Sequence, residues 1–216
     1  HQDLVKNGDL TRFEDLPMGS FIMFVSHQWN GFDHPDPNGA QLRVLCSTLR
    51  KLRDGVHDRV EMDPMHVLIY KENFTTSSSE WKTLLDNTFV WYDFWSQPQP
   101  SHEKDKSCIE KVRADLKAAL DSVGAYIERA DTLVILAPPS THHDSINKET
   151  GRKMFTNYRT WRRRGFCVLE LFASFFSRRS THPVLLVRSV RARSARILST
   201  TSITVSLHTQ ELHTQE

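Results

Sequence analysis

Short, wholly apolar runs alternate with segments in which apolar residues recur every three or four positions. Residues 20–26 (SFIMFVS) form the first run, bounded by Pro17, Met18 and Gly19 and by a polar loop. Apolar on both sides over this length, such a run predicts a strand buried on both faces of a parallel sheet. Residues 88–95 (TFVWYDFW) predict a second strand, ended by Pro98 and Pro100; residues 132–137 predict a third, cut off by Pro138 and Pro139; residues 182–187 predict a fourth. Between them, Leu42, Leu45, Cys46, Leu49 and Leu52 fall at helical spacing to about Asp54. Ile109, Val112, Leu116, Leu120 and Val123 predict another helix, which Gly124 closes or bends. Residues 166–176 are almost entirely apolar and predict a helix buried on most sides. Strand and helix in alternation imply parallel pairing with right-handed crossovers and helices on both faces of the sheet.

The segments left over set the domain plan. Residues 1–19 read as a lead-in, and residues 20–188 as one α/β domain. Residues 55–87 read as an insertion in it, with a short strand at 66–70 and a helix that starts at Ser77, Ser78 and Ser79 ahead of Glu80 and Trp81. A polar loop is expected from the third strand to about Thr156. From Ser189 to Glu216 Ser, Thr and Arg dominate and His-Thr-Gln-Glu is repeated, which predicts a weakly folded or disordered tail.

Composition narrows the partners. With 216 residues, 38% of them apolar and 25% charged, the chain can bury one sizeable core. A net charge of +2 gives no strong field for nucleic acid or an anionic membrane surface. No apolar run reaches the roughly 18 residues that a membrane span needs. Cys46, Cys108 and Cys167 stand far apart inside apolar patterns, so reduced, buried thiols and a cytoplasmic setting are expected. The histidines have no matched ligand partners, and no metal site or resident cofactor is expected.

Glu170 is the most informative position, because it is the only charged residue between Phe166 and Phe176. An ionised carboxylate in apolar surroundings costs several kcal/mol unless it is paired, hydrogen-bonded or open to a cleft. Two readings stand side by side: a functional acid with a raised pKa, or a structural ion pair with Arg162, Arg163 or Arg164. Ser26, His27 and Trp29 follow the first strand, where open parallel sheets bind ligands beyond the strand ends. Equally, Trp29 could cap the core and His27 could bond to backbone. Asp93, near the end of the second strand, could bind a ligand hydroxyl or cap the following turn.

Three segments, taken together and in order, resemble a known group. Residues 24–29 (FVSHQW) are similar to the opening strand of TIR domains and of relatives that carry Ser-His-x-Trp. Residues 90–99 (VWYDFWSQPQ) look like the W-x-D-x-x-x-x-P-Q segment of those relatives and of fungal heterokaryon-incompatibility domains. Residues 164–171 (RGFCVLEL) resemble the W-C-x-x-E-L start of the helix that bears the TIR catalytic glutamate. The resemblance implies a flavodoxin-like, doubly wound parallel sheet of about four to five strands. It also implies a role in signalling or innate-immune defence, in some members by cleaving the nicotinamide–ribose bond of NAD, in others only by assembling complexes through self-association of the fold. By position Glu170 would be the catalytic carboxylate; Ser26, His27, Trp29 and Phe166 would line the pocket for NAD or a related nucleotide, with Asp93 at its rim. Phe166 departs from the pattern, since catalytic members have Trp there. The family's last helix and strand are absent where the Ser/Thr/Arg tail stands, so the C-terminal part of the fold reads as incomplete.

Overall fold

The computed structural model describes residues 1–56, 59–61, 68, 71, 75–177, 182 and 184–188. Along the chain come α1 (Gln2–Asn7), β1 (Phe21–His27), α2 (Ala40–Arg53), β2 (Arg59–Glu61), β3 (Thr75–Ser77), α3 (Ser78–Asp86), β4 (Thr88–Tyr92) and α4 (Asp93–Ser96). Then follow α5 (Ile109–Asp121), α6 (Val123–Arg129), β5 (Thr132–Leu136), β6 (Ser140–Ile146), β7 (Lys153–Thr156), α7 (Tyr158–Trp161), α8 (Gly165–Phe176) and β8 (Leu185–Val187). The four strands expected to be buried form one sheet in the order β4-β1-β5-β8, every neighbouring pair parallel. That is the α/β architecture predicted, with the strand order of a flavodoxin-like doubly wound sheet.

All seven residues of β1 are buried, and their alternation builds two apolar layers. Phe21, Met23 and Val25 meet Leu45, Leu49 and Leu52 of α2 and Trp81 of α3 on one face. Ile22 and Phe24 meet Ala119 of α5, Tyr126 and Ile127 of α6, Trp161 of α7 and Cys167 of α8 on the other. Each fully buried side chain of this size contributes about 1.5–3 kcal/mol of apolar burial. Phe24 stacks on its register partner Trp91 at 4.2 Å between ring centroids, which ties β1 to β4.

Helix α3 begins at a capping box: the Ser77 hydroxyl accepts the Glu80 N–H, and the Glu80 carboxylate accepts the Ser77 N–H at 2.7 Å. Its Trp81 lies in the core, so the region read as an insertion supplies a helix to one apolar layer. Apart from Leu68, the short strand expected at 66–70 lies outside the described residues, as does the tail from Ser189.

Several expectations are corrected. The second strand stops at Tyr92, three residues early, because Asp93 accepts the Phe94 N–H and opens the one-turn helix α4. The segment expected to be a polar loop contains the antiparallel hairpin β6–β7. Its turn is made by the Asn147 side chain, which accepts the N–H groups of Glu149 and Thr150, and by Gly151 at a φ of 66°. Helix α8 is not buried on most sides: Phe166, Leu169, Phe172 and Phe176 lie exposed along it, Phe176 by 81%. Nor are the thiols all buried, for Cys108 is exposed and Cys46 half-buried.

Candidate functional site

Ser26 and His27 end β1, and successive strand residues point to opposite faces. Ser26 therefore turns toward α8, where its hydroxyl donates to Oε2 of Glu170 at 2.5 Å. The same Oγ accepts the indole N–H of Trp161 at 3.1 Å, so its own proton is directed at the carboxylate. His27 turns to the other face. Its Nε2 lies 2.7 Å from Oδ1 of Asp93, and its Nδ1 lies 3.2 Å from the Tyr92 hydroxyl. Asp93 also accepts the Trp29 indole N–H at 2.7 Å.

Of these residues, His27, Trp29, Asp93 and Glu170 line one cleft. It has a volume of about 360 Å³ and takes in His27, Trp29, Asp93, Phe166 and Glu170. Small-molecule sites commonly fall between roughly 300 and 1,000 Å³. Leu116, Leu120, Val123 and Trp91 make much of the wall apolar, and Gln97, Gln99 and Arg164 add polar groups. Phe166, also in the lining, is 57% exposed.

The two carboxyl groups are in contrasting environments. Burial pushes Asp93 up, but His27 and the donors Trp29 and Phe94 outweigh it and hold the carboxyl below its ordinary value. His27 is affected in the complementary sense: burial opposes its charge, and the neighbouring Asp93 raises it above its ordinary value nonetheless. Glu170 is pushed up to about 7, chiefly by burial and further by Asp93, although the Ser26 hydrogen bond favours its ionised form. Near neutral pH the Glu170 carboxyl therefore exchanges its proton readily while Asp93 stays charged. Burial, with Glu170 next to it, pushes the Cys167 thiol to about 12, which rules it out as a nucleophile near neutral pH.

All six residues singled out in the sequence come together here. Ser26 does so through its bond to Glu170, and the other five line the cleft itself. Of the two readings of Glu170, the arginine pair is not what the fold adopts: among the described residues it makes no ion pair with Arg162, Arg163 or Arg164, and its partner is a hydroxyl. Arg162 instead lies over the Tyr158 ring, and Arg164 borders the cleft. Asp93 caps its turn, as one reading had it, and also anchors His27 and Trp29. Sequence reasoning missed Trp161, Tyr92 and Gln97. Trp161 carries no local signal, whereas Gln97 stood inside the quoted W-x-D-x-x-x-x-P-Q segment.

Among the described residues no group of His, Cys, Asp and Glu could hold a metal ion, and no helix is long and apolar enough to cross a membrane. Comparison with protein-family profiles, with curated proteins and with solved structures finds no match.

Proposed function

We propose that the cleft cleaves the bond between nicotinamide and ribose in NAD or a related nucleotide, with Glu170 as the acting carboxylate. The observation that carries this reading is a carboxyl open to a ligand-sized cleft, held by a hydroxyl rather than a guanidinium. A pyridinium leaving group needs no proton donor: as the C1′–N bond breaks, its electron pair neutralises the ring nitrogen. Positive charge then develops on the sugar. A nearby carboxylate stabilises that charge and can hold the ribose hydroxyls, as in other glycoside cleavages. Water attacks C1′ and releases a proton, so that NAD and water become nicotinamide, ADP-ribose and a proton. Ser26 keeps the acting oxygen in place, and the His27–Asp93–Trp29 cluster fixes the opposite wall.

The test is nicotinamide release by the purified chain. Wild type is expected to turn over, and Glu170→Ala to lose activity by roughly a hundredfold or more. Equal rates, or no release at any protein concentration, would end the reading.

One observation favours a second reading, a non-catalytic module that self-associates. Phe166, Leu169, Phe172 and Phe176 present an apolar stripe on α8, and such stripes on soluble proteins often mark contact surfaces. On that reading the apparent mass rises with concentration, Phe172→Ser with Phe176→Ser abolishes the rise, and Glu170→Ala changes nothing.

A further inference from the structure

Arg164 lines the cleft, is exposed, and answers no carboxylate in it. Among the described residues no ion pair, side-chain hydrogen bond or ring contact holds its guanidinium. Arg162, two positions earlier, is by contrast occupied over the Tyr158 ring. Both carboxyl groups of the cleft are engaged elsewhere: Asp93 with His27, Trp29 and the Phe94 N–H, and Glu170 with the Ser26 hydroxyl. The charge of Arg164 nonetheless acts within the lining, where it opposes the rise of the Cys167 thiol. Leu116, Leu120 and Val123 give the same cleft an apolar wall, beside which an ionic contact is screened less than on an open surface. Arg164 is the N-cap residue of α8 and precedes Glu170 by six positions, about 9 Å along the helix axis. One extended ligand can therefore meet both.

We infer that Arg164 is the specificity-determining residue of the cleft: it receives the phosphate on the 5′-carbon of the ribose that Glu170 acts on. The inference rests on the nucleosidase reading and names the group by which the cleft tells a nucleotide from a nucleoside. A guanidinium offers parallel N–H donors to two phosphate oxygens and stays charged throughout the working pH range. Glu170 cannot make this selection, because the ring and ribose it meets are the same in both ligands. Charge also sorts the two ends of the ligand. A pyridinium ring is repelled by Arg164 and drawn to Asp93 and Glu170, whereas a phosphate is drawn and repelled the other way. That polarity sets C1′ at Glu170 and the phosphate at Arg164.

Calorimetry on the Glu170→Gln chain, which removes turnover, tests this with nicotinamide riboside and its 5′-monophosphate, which differ by that phosphate alone. The monophosphate is expected to bind roughly ten- to a hundredfold tighter. Adding Arg164→Met should bring the two within about twofold. Arg163→Met removes the same charge one position away, outside the cleft lining, and should keep the full preference. If the Arg164→Met chain does not fold, Arg164→Gln, which stays polar, should lose the preference in the same way. No preference, or one that survives the loss of Arg164, overturns its role and leaves the nucleosidase reading standing on nicotinamide release. A preference that goes with Arg164, in a protein whose wild type releases no nicotinamide, keeps the phosphate site and ends the nucleosidase reading. Failure of both probes to bind overturns both.

Discussion

Glu170 shows at the scale of one residue how a site can cost stability. Its folded pKa of about 7 lies above the ordinary 4.5, so the folded chain holds its proton more tightly than the unfolded chain does. Between those values the native state binds more protons than the unfolded state, and stability falls as pH rises through 7. The full penalty above pH 7 is on the order of 3 kcal/mol. His27 adds to the same trend, because its raised pKa confers stability below its ordinary 6.5 that is lost as pH passes its folded value. Glu170→Gln keeps the shape and can still accept the Ser26 hydroxyl. That variant should therefore be more stable than wild type at pH 8 by about 2–3 kcal/mol and no more stable near pH 4. Urea unfolding at the two pH values reads the difference. A wild type as stable as the variant at pH 8 would mean that the carboxyl is not desolvated. On the nucleosidase reading, activity runs the other way, falling below pH 7 as the carboxylate takes up its proton.

The elements that hold the site are the end of β1 and the one-turn helix α4. Asp93 gathers an imidazole, an indole and a backbone N–H, so loss of its charge should be felt in both elements. Asp93→Asn is expected to cost about 2–3 kcal/mol at pH 7 and to lower the His27 pKa, read by urea unfolding and by NMR titration of the ring. Since the Asp93 pKa is depressed by folding, its contribution is present above its ordinary 3.8 and is lost as pH falls through the folded value. The two proteins should thus converge in strong acid. An unchanged His27 pKa would sink the pairing. At this scale much was legible in the chain: buried strands announce themselves as uninterrupted apolar runs, and residues 20–26 and 132–137 needed no other signal. Residues 88–95 did not reveal that Asp93 would break the run, because aromatics suit a strand and a helical turn equally well. Hairpin β6–β7 was hidden by its polarity, since only Thr156 and His142 among its residues are buried. The proximity of Ser26, Glu170, His27 and Asp93 follows from strand order, which the local pattern does not carry; the motif resemblance alone placed them together.

Across the whole molecule, the two apolar layers divide the work, and the tryptophans at their centres differ accordingly. Trp81 and Trp161 are both fully buried, one on each face of the sheet. Trp161 donates to Ser26 and so reaches the site; the Trp81 indole N–H has no partner among the described residues. Replacement by Phe removes a similar volume from each layer, which makes the nitrogen the main difference. Loss of a satisfied buried hydrogen bond leaves Ser26 short of a donor, whereas loss of an unsatisfied N–H relieves a desolvation cost. Trp161→Phe is therefore expected to lose about 1–2 kcal/mol more stability than Trp81→Phe, from urea midpoints compared at equal denaturant dependence. Nicotinamide release should separate the two variants further. With Trp161 gone, the Ser26 hydroxyl is free to turn away from Glu170, and the rate should fall; Trp81→Phe, on the opposite face, should keep it. Equal losses in both measurements would mean that the face bearing α2 and α3 matters to the cleft as much as the face bearing α8, and that Ser26 does not depend on its indole donor.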